Sequence, residues 1–264
     1  MKIGFIGLGN MASAMIGGMI QKELVRAEDI LGSDARKESV ESAVEKFGIT
    51  GMEKNTETAS KSDVLFLSVK PQMYEGVIGE IRDSIREDTV IVSIAPGKTM
   101  EWIEKQFGRR IKLVRCMPNT PALVGEGCTG VCFHELVSEE EKKNTLKLLE
   151  SFSKAIEVAE NLMDVVVGVS GSSPAYVFLF IEAMADAAVA DGMPRKQAYE
   201  FAAQAVLGSA KMVLETGMHP GELKDMVCSP GGTTIEAVKV LEEKGLRSAV
   251  IEAQSACVKK SRSM

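Results

Sequence analysis

The sequence predicts an α/β fold in residues 1–160, built as a doubly wound parallel sheet, followed by an all-α domain in residues 161–264. Three observations carry this prediction. Short, nearly continuous apolar runs alternate with helical patterns in the first part, a glycine-rich bend follows the first of these runs, and only helical patterns follow residue 161. The boundary is therefore a change of secondary-structure pattern, without a Gly/Ser-rich or Pro-rich linker.

Composition limits the classes of function. The chain has 264 residues, of which 45% are hydrophobic and 26% charged, enough for one large or two moderate cores. Its formal net charge of −6 argues against a nucleic-acid partner. The first residues lack a basic segment and a cleavage pattern, so we expect no export. The apolar stretch 175–190 carries Glu182 and Asp186 and is too short to span a bilayer, so we expect a soluble, cytoplasmic protein without membrane contact.

The cysteines predict neither disulfides nor a metal site. Five cysteines form no CxxC pair, and the chain has only two histidines to help them bind a metal ion. An odd number without ligand spacing suits reduced thiols in the cytosol. Cys116, Cys128 and Cys132 lie in apolar strand-like runs and are expected in the core, whereas Cys228 stands beside a hydroxyl-rich turn.

The first structural unit is a strand, a glycine bend and a helix. Residues 2–6 form an apolar strand pattern that runs into the G-x-G-x-x-A sequence of Gly7, Gly9 and Ala12, and a helical apolar pattern follows. Gly7 permits a sharp turn, Gly9 lets the backbone approach a pyrophosphate, and Ala12 keeps the helix close to the strand. This context favours dinucleotide binding by a Rossmann-type domain over a purely structural glycine turn.

The later strands end in loops that should meet at one rim. They are predicted at residues 30–33, 63–69, 89–94 and 111–116, with a charged helix at residues 36–47. Ligands of such sheets bind where the parallel strands end, so three residues that follow these strands should converge beside Gly7 and Gly9: Lys70, Ala95 and Asn119. For Pro71 and Pro96, strand termination alone is the alternative reading.

The C-terminal part is predicted to be helical. Ser172 or Ser173 can cap a helix whose first position is Pro174 and which is apolar on almost every face up to residue 190. A second helix is predicted over residues 194–215, and a short one precedes Ser229. A helix that is apolar all round must be enclosed, and about a hundred residues offer few layers to enclose it. We therefore expect another subunit to cover it.

The bend at residues 228–234 is a second candidate site. It contains two adjacent glycines and several hydroxyls just before an amphipathic run. Thr233 followed by Glu236 is a capping-box pattern, which would place free backbone N–H groups at a helix N-terminus, where they attract an anion such as a small carboxylate. The alternative is a plain glycine turn with a threonine cap.

Five motifs carry a resemblance that covers the whole chain. They lie at residues 5–11, 68–71, 117–122, 169–176 and 224–234, and the last two are highly specific. Together they resemble the motifs of the pyrroline-5-carboxylate reductase family. The resemblance implies hydride transfer from NAD(P)H to the cyclic imine of 1-pyrroline-5-carboxylate, giving L-proline in the last step of proline biosynthesis.

The resemblance also implies residue roles. Thr234 is the expected catalytic residue, with its hydroxyl near the ring nitrogen, and the Ser229 side chain with the Gly232 and Thr233 N–H groups would hold the substrate carboxylate. An imine can be protonated on nitrogen beforehand, so no strong acid is obligatory. The expected substrate-binding residues are Ser229, Gly231, Gly232, Thr233 and Thr234. The expected cofactor-binding residues are Ile6, Gly7, Leu8, Gly9, Asn10, Met11, Ser33, Asp34, Arg36, Asn55, Ser68, Val69, Lys70, Pro71 and Ala95.

The signals for cofactor choice conflict. Asp34 could hold a ribose diol and repel a 2′-phosphate, which favours NADH, whereas Arg36 and Lys37 could neutralise that phosphate, with Asn55 nearby by family resemblance. Two cations near one anion favour NADP(H), with NAD(H) as the alternative. The family analogy further implies a homodimer or a larger ring of dimers.

Two other functions are compatible with parts of this sequence. The β-hydroxyacid dehydrogenases share a similar two-domain organisation, but the G-x-x-G-x-G-x-x-x-K-x-x-x-N pattern, aligned on Gly168 and Gly171, places Ser173, Val177 and Ile181 where its third Gly, its Lys and its Asn should stand. The chain therefore lacks the catalytic lysine that a β-hydroxyacid dehydrogenase needs. A non-catalytic, nucleotide-responsive assembly protein would keep the first motif and the apolar helix, yet it has no need of the hydroxyl-rich bend.

Overall fold

The computed structural model describes all 264 residues. They form two compact units, one of residues 1–172 and 257–264 and the other of residues 173–256. The predicted domain boundary at residue 160 lies before this division. Residues 161–172 belong to the first unit because their helical part packs on the sheet. Val166 lies so close to Gly130 of the sheet that a Cβ on residue 130 would be 2.7 Å from Val166 Cγ1.

The first unit is built on one eight-stranded sheet with the order β3-β2-β1-β4-β5-β6-β7-β8. Its strands are β1 Ile3–Ile6, β2 Ile30–Ser33, β3 Thr50–Gly51, β4 Val64–Leu67, β5 Val90–Ser93, β6 Lys112–Met117, β7 Gly127–Phe133 and β8 Ser153–Glu157. All neighbours are parallel except β6 and β7, where Val114 pairs with Phe133 in antiparallel register. The predicted doubly wound sheet is confirmed, with one reversed strand pair that the sequence pattern did not reveal.

Helices cover both faces of this sheet. They are α1 Asn10–Gln21, α2 Lys37–Phe47, α3 Asn55–Lys61, α4 Tyr74–Ile81, α5 Met100–Phe107, α6 Glu139–Leu149 and α7 Met163–Val166. Alternate strand residues feed two separate cores. Phe5 and Phe66 stack with ring centroids 4.8 Å apart in the core that includes α1, whereas Leu65 and Leu67 belong to the core that includes α4.

The second unit is entirely helical. It contains α8 Ser173–Ala190, α9 Arg195–Thr216, α10 Pro220–Val227 and α11 Thr233–Glu243, and it includes the start of α12 Leu246–Arg262, whose last residues belong to the first unit. We predicted Ser172 or Ser173 as the cap of a helix that begins at Pro174, but α8 begins at Ser173 and the chain is already helical before it. A π-helical segment at residues 167–171 joins α7 to α8 with a backbone bond from Ser172 N–H to the Val167 carbonyl oxygen.

The apolar helix is longer and more exposed than the sequence pattern indicated. The helical run Glu160–Ala190 has 31 residues, long and apolar enough to cross a membrane by length and composition, so our expectation that it is too short was wrong. This is weak evidence for a membrane span, since core helices of soluble proteins pass the same test. Within α8, Phe178 and Leu179 are 59% and 66% exposed, and only Ala185 is buried.

Candidate functional site

Gly7 makes the turn after β1 that the sequence predicts. Its φ of +94° lies in the left-handed region that favours glycine, and a Cβ there would stand 2.7 Å from the Ser68 carbonyl oxygen. The turn is held from both sides of β1. Gly7 N–H donates to the Ser33 carbonyl oxygen after β2 at 2.8 Å, and Ser68 Oγ donates to the Gly7 carbonyl oxygen at 2.7 Å. The glycine loop is thus fixed where the order of strands reverses, between β1 and β4.

Gly9 leaves the space that a pyrophosphate would need. It caps α1 with ordinary extended φ and ψ of −76° and −170°, and a Cβ added to it would meet nothing within 4 Å. No side chain caps α1, and its first turn carries no acidic residue. The first N–H groups of a helix have no intrahelical partner and attract anions. The residues present therefore fit the phosphate bridge of a dinucleotide.

A pocket of about 450 Å³ opens beside this turn. It is lined by nine of the predicted cofactor-binding residues: Ile6, Gly7, Gly9, Asp34, Arg36, Asn55, Ser68, Val69 and Lys70. Ala35, Met73 and Val77 complete the lining and were missed. Met73 and Val77 are four residues apart, a spacing that puts both on one face of a helix. This spacing, shortly after β4, is the sequence signal that could have identified them as lining residues.

The other predicted cofactor-binding residues do not line this pocket. Leu8 and Ala95 are buried hydrophobic residues, and Ser33 is 1% exposed with its hydroxyl bonded inside the protein. Asn10 and Met11 form the start of α1, and Pro71 begins the short turn that leads into α4. Their backbone groups lie next to lining residues in the sequence. The assignment of these residues to the cofactor stays a prediction.

Asp34 supports the glycine loop. Its Oδ2 accepts the Leu8 N–H at 2.8 Å, and its Oδ1 accepts the Arg36 N–H at 2.9 Å. The Arg36 guanidinium is only loosely paired with it, with Nε 3.9 Å from Oδ1, and is mostly exposed. Each carboxylate oxygen thus already serves one backbone N–H, whereas the Arg36 cation remains open to solvent at the pocket.

Asn119, which we expected at the rim, is a buried structural residue. Its Nδ2 donates to the Ser170 carbonyl oxygen at 2.9 Å, and its Oδ1 accepts the Cys128 N–H at 2.8 Å. It therefore ties the loop after β6 to the π-helical segment and to β7. In an α-helix the Ser170 carbonyl would accept from residue 174, but Pro174 has no N–H, and Asn119 donates to that carbonyl instead.

The hydroxyl-rich bend lies in the second unit, between α10 and α11. Gly231 has a φ of +67°, which favours glycine, whereas Gly232 has an ordinary φ of −82° and a Cβ there would require the Ser229 hydroxyl to move. Gly232, rather than Thr233, caps α11, without a side-chain bond, so the predicted capping box is absent. Gly232 N–H donates to the Ser229 carbonyl oxygen at 3.0 Å and is not free for a ligand, contrary to our expectation. The free N–H groups begin with Thr233, at the first turn of α11.

Burial keeps two of the five cysteine thiols protonated. Burial raises the pKa of the Cys116 thiol, and burial together with nearby Glu160 raises that of Cys132 to about 12, so both stay protonated near neutral pH. All five cysteines are free. No group of three or more His, Cys, Asp or Glu side chains is arranged to hold a metal ion.

Tyr74 is a structural residue beside the pocket rather than an acid. Burial raises its pKa to about 12, and its hydroxyl donates to the Leu67 carbonyl oxygen at 2.6 Å. This bond fixes the start of α4 against the end of β4, next to the lining residues Ser68 and Met73.

Family models match both parts of the chain. Residues 160–264 match the model described as pyrroline-5-carboxylate reductase dimerisation, and residues 2–97 match the model described as NADP oxidoreductase, coenzyme F420-dependent.

Individual proteins match over nearly the full length. The chain is 54% identical to the pyrroline-5-carboxylate reductase of Escherichia coli over 98% of this chain and 97% of that protein. It is 44% identical to the pyrroline-5-carboxylate reductase of Methanosarcina acetivorans over 96% and 93% of the two chains. The solved structure of Plasmodium falciparum pyrroline carboxylate reductase with NADP bound superposes with a TM-score of 0.91 at 32% identity, covering 99% of this chain and 97% of that one.

Proposed function

The chain belongs to the pyrroline-5-carboxylate reductase family, and from this premise we propose how its own residues divide the work of the reaction. The enzyme reduces 1-pyrroline-5-carboxylate to L-proline with NAD(P)H, the last step of proline biosynthesis. The observation that carries the proposal is the fixed glycine loop, in which Gly7 shapes the turn and Gly9 leaves room at the start of α1.

The pocket beside Gly9 is the proposed cofactor site, and NADP(H) is the preferred cofactor. The α1 N-terminus would hold the pyrophosphate, and Arg36 with Lys37 would neutralise a 2′-phosphate, because both cations are exposed near the strand end. The apolar side chains of Met73 and Val77 would give the cofactor a surface to pack against. When bound, NADPH supplies the hydride that the reaction consumes.

The bend before α11 is the proposed substrate site. The hydroxyl of Ser229 and the N–H groups that begin at Thr233 would hold the substrate carboxylate, because the helix N-terminus favours an anion. Gly231 and Gly232 contribute by shaping the bend, since the Gly232 N–H is used within the turn.

Thr234 is the proposed catalytic residue. Its side chain is half-buried at the start of α11. The ring nitrogen of the substrate carries a proton before hydride transfer, and the Thr234 hydroxyl oxygen would accept a hydrogen bond from that N–H. The carbon of the C=N bond receives the hydride, and the nitrogen keeps its proton as the C=N double bond becomes a single bond. No further acid is required for this step.

We propose a homodimer that uses α8 as its interface. The support is the exposed apolar surface of α8 and the match of residues 160–264 to a dimerisation family. A partner subunit would bury Phe178 and Leu179, which a soluble monomer would leave in water. A larger ring of dimers and a cytoplasmic location, without nucleic-acid or membrane partners, complete the proposal and rest on the family analogy and on the net charge of −6.

Steady-state turnover tests the function directly. The purified protein should oxidise NADPH when 1-pyrroline-5-carboxylate is added, and L-proline should appear in equal amount. A β-hydroxyacid substrate with NADP⁺ serves as the control reaction and should give no turnover. A folded protein that binds NADPH but does not reduce the imine would contradict the proposed function.

A further inference from the structure

A chain of four polar side chains runs from the sheet to helix α4 beside the cofactor pocket. Thr58 Oγ1 donates to Ser33 Oγ at 3.0 Å, and Ser33 Oγ donates to Asn55 Oδ1 at 2.8 Å. Asn55 Nδ2 then donates to Glu80 Oε2 at 2.8 Å. Thr58 and Ser33 are 0% and 1% exposed, so the inner end of this chain is fixed in the core, whereas Glu80 lies at the surface.

The direction of every bond in this chain is set by Glu80. An ionised carboxylate can only accept, so the amide nitrogen of Asn55 must face Glu80 and its oxygen must face Ser33. Ser33 must then donate to Asn55 and accept from Thr58. A hydroxyl can donate or accept, so Ser33 and Thr58 alone would permit either orientation of the amide. Glu80 is therefore the group that decides it.

Asn55 also lines the pocket, together with Asp34 and Arg36. Its oxygen is engaged with a buried hydroxyl, and one of its two amide hydrogens is engaged with Glu80. The polar group that Asn55 has left for a ligand is its second N–H, a donor, and the exposed Arg36 cation lines the same pocket. A donor next to a cation suits a phosphate oxygen.

We propose that Glu80 is a positioning residue that makes NADPH, rather than NADH, the better ligand by holding Asn55 as a donor toward the 2′-phosphate. This inference rests on the proposed function of the pocket as the cofactor site. Without Glu80 the amide can turn and present its oxygen to the phosphate, where two acceptors repel each other. NADH lacks the 2′-phosphate, so its affinity should not depend on the orientation of the Asn55 amide.

Direct cofactor binding tests the proposal. The variants are Glu80→Ala, Glu80→Gln, Asn55→Ala and the double variant, and the matched control is Glu75→Ala, which removes another exposed acid of α4. The dissociation constants of NADPH and of NADH are measured by fluorescence titration at physiological salt, where distant charges are screened. Thermal unfolding is measured in parallel to show that each variant is folded.

Glu80→Ala should weaken NADPH binding about five-fold, the size of one ordinary hydrogen bond, and should leave NADH binding within roughly two-fold of the wild type. Glu80→Gln keeps an acceptor oxygen but adds an N–H donor, which no longer fixes the orientation of the Asn55 amide, so it should recover only part of the NADPH affinity. Glu75→Ala should change neither constant. In the Asn55→Ala background, removing Glu80 should have no further effect, because the group it orients is gone.

Three results would overturn the proposal: unchanged NADPH affinity in folded Glu80→Ala, equal losses for both cofactors, or an undiminished effect of Glu80→Ala in the double variant. Wild-type protein that bound neither cofactor would overturn the proposed function and this inference with it. The titration of the wild type separates that outcome from a failure confined to Glu80.

Discussion

Gly9→Val should abolish cofactor binding while leaving the fold intact. The backbone of Gly9 has φ −76° and ψ −170°, which valine adopts without strain, and a new Cβ would meet no protein atom within 4 Å. The valine methyl groups would instead fill the space at the start of α1 in which we place the pyrophosphate. The substitution therefore separates a steric effect on the ligand from an effect on folding.

The expected magnitudes follow from this geometry. Valine is a poorer N-cap than glycine, which costs about 1 kcal/mol of stability and lowers the melting temperature by about 2–4 °C in a protein of this size. A clash with the phosphate bridge should weaken NADPH binding at least 100-fold, or about 2.7 kcal/mol. Gly7→Ala should instead lower the stability of the fold. Residue 7 has a φ of +94°, which is strained for alanine, and the new Cβ would lie 2.7 Å from the Ser68 carbonyl oxygen.

Fluorescence titration with NADPH measures the change in cofactor affinity. Thermal unfolding with and without NADPH measures the change in stability. The wild type should gain about 2.7 kcal/mol of stability at a cofactor concentration 100 times its dissociation constant, whereas Gly9→Val should gain at most about 0.4 kcal/mol at the same concentration. Gly7→Ala should melt earlier in the absence of any ligand. A folded Gly9→Val protein with wild-type affinity for NADPH would refute the placement of the pyrophosphate.

Three further predictions concern the cofactor preference, the chemical step and the assembly. Asp34→Ser should shift the ratio of kcat/KM values toward NADPH by roughly three-fold or more, since a carboxylate near the 2′-phosphate is removed; an unchanged ratio would show that Asp34 acts only as the acceptor of the Leu8 and Arg36 N–H groups. Thr234→Ala should lower kcat/KM for the imine about 10–100-fold with cofactor affinity unchanged, and Thr234→Ser should retain most activity; wild-type kcat/KM in folded Thr234→Ala would remove this hydroxyl from the mechanism. Leu179→Glu should give an inactive monomer in sedimentation equilibrium, because it puts a charge on the exposed apolar face of α8; an active monomer would contradict the interface.

The elements that the sequence predicted well are those with strong local signals. The strand predicted at residues 89–94 is found at Val90–Ser93, and the helix predicted at 194–215 is found at Arg195–Thr216. Buried strands are continuous apolar runs bounded by glycine and proline, so their ends are marked in the sequence. The left-handed turn at Gly7 follows equally from a local rule.

The features that sequence reasoning missed are decided by contacts between distant residues. The S-S-P pattern at residues 172–174 resembles a helix start, but Asn119 already holds the preceding π-helical segment from another part of the chain. The direction of β7 is set by its pairing with β6, which leaves no trace in the periodicity of either strand. The capping box expected at Thr233 is absent because the turn bond from Gly232 N–H to the Ser229 carbonyl oxygen makes Gly232 the cap.

Two carboxylates beside a proposed phosphate site are compatible with phosphate binding when their oxygens are already engaged. Asp34 accepts two backbone N–H groups, and Glu80 accepts the Asn55 amide. Each acid thereby directs a protein donor, while the Arg36 side chain remains open to solvent at the pocket. A carboxylate that orients a donor lowers the cost of organising the site before the ligand arrives, because the donor no longer has to find its position. For Glu80, the donor that the carboxylate holds is therefore a better guide to its effect on cofactor preference than its charge alone.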